Sequence, residues 1–404
     1  MSILVLNAGS STLKFVLFDD KALNELASGS VDWRGTCNTA SLFFRCTAVG
    51  EEQFTTEIAD YGDAVSWILK LLAANEFNEP IHMVGHRVVY GGTQFRQTSL
   101  IDHQITQSLE QISQLAPLHN PPALKTIATT QKALPASTQV VVFDTAFFAD
   151  LPERSFMYPL PYEWHDLYGI RRFGFHGISH SYCSTRAAEI LDRQNDESLR
   201  LVICHLGNGC SATAVRGKNP VATTMGFTPM EGLMMGTRAG SIDPGILLYL
   251  LQQHDISAAE LDESLNRHSG LLGVSGISSD FREVEMAAHA GTQRASLAIE
   301  MFVDRIRSTI GSLAVSLGGI DGLIFTAGIG ENSSSLRSRV CKGLECLGLY
   351  LDEEKNQNGQ TDSDIALAQS SGRILIIRTR EELMIAREVQ RLFTRPKFPD
   401  QSTS

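Results

Sequence analysis

At 404 residues, with 43% hydrophobic and 20% charged side chains, the chain has the composition of a soluble globular protein of about two domains, neither disordered nor fibrous. Its net charge of −11 excludes non-specific binding to nucleic acid or anionic membrane, so an anionic substrate has to meet locally clustered Arg and Lys. Seven cysteines, an odd number without a C-x-x-C pair, fit a reduced cytoplasmic protein, and no apolar stretch approaches the ~20 residues of a membrane span.

The first apolar run, Ile3 to Leu6, ends at Asn7 without a basic region before it, which does not read as a signal peptide. It stops at Ala8-Gly9-Ser10-Ser11-Thr12, and an alternating segment resumes through Leu13, Phe15 and Leu17. That pattern predicts strand, tight turn, strand. The turn offers backbone N–H groups, hydroxyls and a following Lys14, which suits a phosphate and equally suits an ordinary hairpin. Strand-like material continues from Ser41 to Phe54, and Val65, Ile68, Leu69 and Leu72 predict a helix over Asp63 to Asn75.

Ile81 to Gly92 reads as an apolar strand with an internal Gly85-His86-Arg87, ending in a Gly pair. An arginine inside such a strand is costly unless an anion meets it, so Arg87 reads as a ligand contact in preference to a solvated charge. Pro117-Leu118-His119-Asn120-Pro121-Pro122 predicts a rigid turn, braced by His119, before a helix from Ala123. The buried strand Gln139 to Phe143 ends in Asp144, a place where α/β proteins put site carboxylates and also turn caps. Pro152, Pro159 and Pro161 then mark a domain boundary, giving domains over 1–150 and 151–380.

In the second half, Arg171-Arg172-Phe173-Gly174-Phe175-His176 leads into a helix, with His176 readable as a site residue or as a core or capping histidine. Leu201 to Val215 repeats the opening design: an apolar strand, the turn Gly207-Asn208-Gly209, and a second strand. We read the two hairpins as matching elements of related domains. The Gly- and Met-rich stretch Thr228 to Pro244 predicts a functional irregular loop in which Met234 and Met235 pack. Helices are expected over Pro244–Gln253, Glu283–His289 and Thr292–Leu317, a strand ending in a Gly turn over Leu323–Asn332, and a strand over Ile374–Ile377. Thr379 and Glu382 fit a capping box at the head of a last helix over 381–394, which explains Glu382 and not Glu381. Residues 395–404 read as a loose tail.

Familiar fingerprints fail. There is no G-x-x-x-x-G-K-[ST], no H-E-x-x-H and no G-x-S-x-G. Gly207 to Ala212 fits G-x-G-x-x-A, but Thr213, Val215, Gly217 and Pro220 behind it are poor material for the helix that would hold a pyrophosphate. What survives is a phosphate-handling enzyme with two hairpin loops.

Eight ordered segments carry a resemblance: L-V-L-N-A-G-S-S-T-L-K (4–14), G-H-R-V-V-Y-G-G (85–92), P-L-H-N-P-P (117–122), F-D-T-A-F (143–147), F-H-G-I-S-H (175–180), H-L-G-N-G (205–209), M-G-T-R (235–238) and G-I-G-E-N (328–332). With them the chain resembles the acetokinase family of the sugar kinase, heat-shock ATPase and actin superfamily. The resemblance implies an α/β fold of two ribonuclease H-like, actin-like ATPase domains around an interdomain cleft, the C-terminal helix completing the first. It implies phosphoryl transfer from MgATP to acetate, giving acetyl phosphate and ADP, by a cytoplasmic homodimer without nucleic-acid or membrane partners.

The same resemblance assigns Asn7 and Glu381 to magnesium, or manganese in its place. Lys14, His205, Leu206, Gly207, Asn208, Gly209, Asp280, Phe281, Arg282, Gly328, Ile329, Gly330, Glu331 and Asn332 fall to the nucleotide. Arg87 holds the acid in a small pocket of Val89, Leu118, Phe175 and Pro229. Asp144 is the active-site carboxylate, acting on magnesium, substrate or a proton, while His176 and Arg238 stabilise the transition state. Propionate as the acid and a non-catalytic ATP-binding module are the alternatives. Two departures from the family pattern stand out: Ala239 and Ser241 after Arg238, and Arg378 and Arg380 flanking Thr379.

Overall fold

The computed structural model describes residues 2–9, 12–33, 39–77, 79–113 and 120–394. Ser10 and Ser11 of the first turn, Pro117, Leu118 and His119, and the tail lie outside the described residues. The chain forms two compact units, Met1–Phe147 with Arg380–Ser404, and Phe148–Thr379.

Among the described residues, unit 1 holds an eight-stranded sheet. Its strands are β1 (Ser2–Ala8), β2 (Thr12–Asp19), β3 (Glu25–Asp32), β4 (Thr39–Cys46), β5 (Gly50–Glu57), β6 (Ile81–Val88), β7 (Ser99–Leu100) and β8 (Thr138–Phe143). They lie in the order β5-β4-β3-β2-β1-β6-β8-β7. β1 is buried throughout, as expected of a strand covered on both faces, and runs parallel to β6, itself parallel to β8. The strand-like material over 41–54 forms two strands: β4 and β5 pair antiparallel around a turn. β5, G-E-E-Q-F-T-T-E, is a polar edge, which discourages further strand addition.

The helix expected over 63–75 spans Tyr61–Ala74, because the Asp60 side chain accepts from the N–H groups of Gly62 and Asp63 and starts it earlier. The helix expected from Ala123 starts at Asn120 instead: the prolines at 121 and 122 sit in its first turn, where a missing N–H costs nothing. The final helix, Glu381–Thr394, buries Ile385, Ala386 and Val389 against β1 and β6.

Among the described residues of unit 2, β9 (Arg200–Leu206), β10 (Cys210–Arg216), β11 (Asn219–Thr223), β12 (Gly322–Thr326), β13 (Ser363–Asp364) and β14 (Arg373–Ile376) take the order β11-β10-β9-β12-β14-β13. The run β11-β10-β9-β12-β14 repeats β3-β2-β1-β6-β8 in order and direction: two antiparallel steps, then two parallel ones. The similar hairpins seen in sequence are therefore equivalent strands of a duplicated ribonuclease H-like sheet. Helix Gln293–Leu317 buries ten residues along one stripe and packs on β9 and β10. The segment from 224 to 243 has no regular structure.

Candidate active site

In unit 1, β1 delivers Asn7 to its carboxyl end, in register opposite Lys14 of β2. Lys14 is exposed there and Asn7 is buried. The turn between them closes with Gly9 N–H donating to Thr12 O at 2.8 Å, and the Tyr61 hydroxyl donates to Gly9 O at 2.6 Å. The amide of Asn7 donates from Nδ2 to Glu381 Oε2 at 3.2 Å and to Glu382 Oε1 at 2.9 Å. Its Oδ1 accepts from Arg87 Nη1 at 3.2 Å, and Arg87 Nη2 donates to Asp144 Oδ2 at 2.6 Å. Asp144 is fully buried at the end of β8. Burial alone would lower the Arg87 pKa, but the carboxylates of Asp144, Glu381 and Glu382 outweigh it and hold the guanidinium above its ordinary value. Arg87 Nε is buried without a hydrogen-bond partner among the described residues, a donor left over for an anion.

Gly85 makes this assembly possible. A Cβ there would stand 2.8 Å from Ile385 Cγ2 and 2.9 Å from Val389 Cγ2, closer than packing allows. Without it, the final helix lies flat on β6 and brings Glu381 and Glu382 to Asn7. The expected Thr379–Glu382 capping box is not formed. Glu382 binds Asn7, while the Thr379 hydroxyl donates to Ser179 Oγ at 2.9 Å and its N–H to Glu331 Oε1 at 2.9 Å. A tertiary partner has displaced the local one. Glu382 is thus a site-bordering residue that the sequence pattern assigned to a cap.

In unit 2, β9 and β10 pair from Leu206↔Cys210 through Arg216↔Arg200, and Gly207 N–H donates to Gly209 O at 3.1 Å across the turn. His176 adopts left-handed backbone, φ 56°, at the head of helix Gly177–Ile190. Its ring stacks on His205, centroids 4.1 Å apart, and its Nδ1 lies 2.9 Å from Ser211 Oγ. The same hydroxyl meets His180 Nε2 at 2.8 Å, and His205 Nδ1 meets Ser179 Oγ at 2.8 Å. Burial, reinforced by His205, pushes the His180 pKa well down, so that ring is neutral. Ser211 and His180 were missed in the sequence, although two signals were there: His180 stands one turn past His176 in the helix that His176 heads, and Ser211 is the register partner of His205.

Arg238 Nη1 donates to Pro229 O at 2.9 Å and approaches Met235 Sδ at 3.7 Å. Burial lowers its pKa, and among the described residues no carboxylate pairs with it. A Cβ on Gly209 would lie 3.5 Å from His176 Nε2 and 3.7 Å from Arg238 Nη1, so the bare glycine sits between the two side chains. Phe175 is buried and Pro229 half-buried in this unit, and Val89 is half-buried in unit 1.

The remaining residues divide. Asp280 caps helix Phe281–His289 and is gripped by Arg282 at 2.6 Å, whereas the Phe281 ring is buried 5.8 Å from Phe302 and can offer a ligand only its backbone. The side chain of Leu206 is likewise buried. The turn expected over 328–332 is helical, Ala327–Asn332. Glu331 serves the fold there: Oε1 accepts from Ala327 N–H and Thr379 N–H, both at 2.9 Å, and burial raises its pKa despite those bonds. Among the described residues, no three His, Cys, Asp or Glu side chains converge as a self-sufficient metal site.

A sequence model described as the acetokinase family matches residues 2–387. An acetate kinase of Trichormus variabilis is 47% identical over 411 residues, covering 98% of this chain and all of that one. An acetate kinase of Geobacillus kaustophilus is 47% identical over 395 residues, covering 96% and 98%. Among solved structures, Porphyromonas gingivalis acetate kinase superposes with a TM-score of 0.88 at 38% identity, over 97% of this chain and all of that one. A propionate kinase from Francisella tularensis gives 0.90 at 39%, over 96% and 99%.

Proposed function

The chain belongs to the acetokinase family, and we propose that it catalyses reversible phosphoryl transfer from MgATP to the carboxylate of acetate, giving acetyl phosphate and ADP. The observation that carries this is Arg238: a largely buried guanidinium without a carboxylate partner among the described residues, set beside His176 and the glycine turn of β9–β10. Such a cation suits the charge that spreads over the equatorial oxygens of a transferring phosphoryl group.

Acetate is already ionised at neutral pH, so no strong base is required. Asp144 is engaged by Arg87 at 2.6 Å, which supports a positioning role: it aims the guanidinium that holds the acid. Val89, Leu118, Phe175 and Pro229 are the proposed walls of the acid pocket. On the nucleotide side, Lys14, the 205–209 turn, Asp280 to Arg282 and the 328–332 helix are the proposed contacts, with Phe281 and Leu206 acting through their backbones.

The donor set fits a divalent cation. Asn7 and Glu381 are the proposed ligands, with Glu382 beside them: the two carboxylates offer oxygens, while the Asn7 oxygen accepts from Arg87, and Mg²⁺ characteristically takes one or two carboxylates and completes its shell with water and phosphate oxygens. When bound, magnesium or manganese neutralises phosphate charge. These side chains hold their geometry through the Asn7 amide.

The names of the relatives favour acetate, while the propionate kinase structure keeps propionate as the second reading, since one methylene is worth only about 10- to 200-fold. A non-catalytic ATP-binding module is disfavoured because Arg87, Asp144, His176, Arg238 and Glu381 are all present. We further propose a homodimer: helix Pro244–Gln253 buries no residue and exposes Ile246, Leu248, Tyr249 and Leu251, an apolar surface that a second copy would cover. We propose that it works in the cytoplasm, as the family resemblance implies; no helix among the described residues is long and apolar enough to cross a membrane.

The test is trapping of acyl phosphate as hydroxamate from ATP with acetate, propionate and butyrate, with and without magnesium. Metal-dependent product ranked acetate first is expected; no product from any acid would refute the kinase reading, and propionate ranked first would replace the substrate.

A further inference from the structure

The irregular loop that carries Arg238 is anchored at Glu231. Glu231 accepts from Arg172 Nη2 at 2.6 Å and from the Tyr158 hydroxyl. Each of those partners also grips backbone: Arg172 Nη1 donates to Thr224 O at 2.8 Å, and the Tyr158 oxygen accepts from Phe227 N–H at 2.8 Å. The guanidinium of Arg172 lies 5.2 Å over the Tyr158 ring. Gly226 passes beneath, where a Cβ would overlap both the Glu231 carboxylate and the Tyr158 hydroxyl. Three anchor points therefore fall at 224, 227 and 231, and Pro229, whose carbonyl receives Arg238, is held between the last two.

The other end of the clamp belongs to the segment that carries His176. Arg172 precedes that histidine by four residues, and the N–H groups of Phe173 and Gly174 both donate to Gly226 O, at 3.0 and 3.4 Å. One hydrogen-bonded unit thus ties the strand of chain leading to His176 to the loop leading to Arg238. Burial, with Glu231 adding to it, keeps the Tyr158 phenol protonated and donating.

We infer that Tyr158, Arg172 and Glu231 are positioning residues that set the Pro229 carbonyl, and through it the Arg238 guanidinium, at a fixed separation from His176. The inference rests on the kinase reading above. It explains why a largely buried arginine without an ion pair can be held in one place by a single carbonyl: the carbonyl is itself immobilised on both sides. Small misplacements of a catalytic cation cost large factors in rate, so loss of one clamp hydroxyl should be visible in turnover before it is visible in stability.

The experiment uses Tyr158→Phe and Glu231→Gln, each in the native chain and in an Arg238→Lys background, with hydroxamate-trapped acyl phosphate, KM for ATP and the thermal midpoint as readouts. Each substitution should lower kcat about tenfold in the native background, with KM for ATP within about twofold and the midpoint nearly unchanged. In the Arg238→Lys background the same substitution should cost less than about twofold, because the side chain it positions is already displaced. Native-like kcat in both variants, or equal losses in both backgrounds, would overturn the clamp. If Tyr158→Phe unfolds, the near-isosteric Glu231→Gln carries the comparison alone. A native chain that makes no acyl phosphate would instead overturn the kinase reading.

Discussion

Replacing Arg87 with Gln removes the cation that stands 2.6 Å from Asp144, a carboxylate fully withdrawn from water. Breaking one side of a buried ion pair costs about 3–5 kcal/mol. The structure also sets a ceiling, because a buried carboxylate that has lost its guanidinium can take up a proton. Protonating a carboxyl of ordinary pKa ~3.9 costs about 4 kcal/mol at pH 7 and about 2 kcal/mol at pH 5.5. The sign follows: the folded variant binds a proton that the unfolded chain does not, so its deficit grows as pH rises and shrinks as pH falls. Trp33 and Trp67 lie in unit 1 and Trp164 in unit 2, so a Trp164→Phe background makes fluorescence report unit 1 alone. Urea unfolding of native and Arg87→Gln chains at both pH values should give a gap of about 4 kcal/mol at pH 7 that narrows by about 2 at pH 5.5. Adding Asp144→Asn should recover most of it, since two neutral amides leave no buried charge at the pair. A gap below about 1 kcal/mol, or one independent of pH, would refute the reasoning.

Arg238→Ala should lower kcat at least about a hundredfold with an unchanged circular dichroism spectrum, and near-normal turnover would remove that residue from the mechanism. Gly85→Ala should push the final helix off β6, lifting Glu381 and Glu382 from Asn7; we expect about 1–3 kcal/mol of destabilisation and a several-fold rise in the magnesium concentration giving half-maximal rate. An unaltered magnesium titration would show that Gly85 does not set those carboxylates. His86 is buried beside Arg87 with Nε2 2.8 Å from Gln139 Oε1, and burial pulls its pKa from about 6.5 down to about 4. Its neutral ring therefore supports the fold above about pH 6.5, and that support is lost as pH falls towards 4, by about 3 kcal/mol in full. His86→Gln should flatten the pH dependence of unit 1 unfolding over that interval, and an unchanged slope would assign the acid sensitivity elsewhere.

Features governed by near neighbours in the chain were legible from the amino-acid sequence alone. The two strand–turn–strand hairpins and the helix Pro244–Gln253 follow from periodicity and turn residues, whereas the anion expected beside Arg87 was read as a ligand and the structure sets the Asp144 carboxylate there. What sequence missed depends on distant partners. Thr379 and Glu382 satisfy a local capping rule, yet each finds a tertiary acceptor or donor, so local grammar assigned the wrong bond. Gly85 and Gly226 are unremarkable as letters; their necessity comes from a helix some three hundred residues later and from a carboxylate folded back across the loop. Phe281 is a different case: its ring packs in the core beside Phe302, because an aromatic ring gains more from burial than from solvent, so the contact expected at that motif position is left to its backbone.

The claim that organises these residues is that a phosphoryl group passes to a carboxylate oxygen of the acid. ³¹P NMR of the chain with MgATP and acetate labelled with ¹⁸O in both oxygens tests it most directly. The account predicts a new acyl phosphate resonance displaced by a bridging P–¹⁸O bond, together with ADP. Unlabelled inorganic phosphate as the sole new phosphorus species beside ADP would show transfer to water, and would contradict the account.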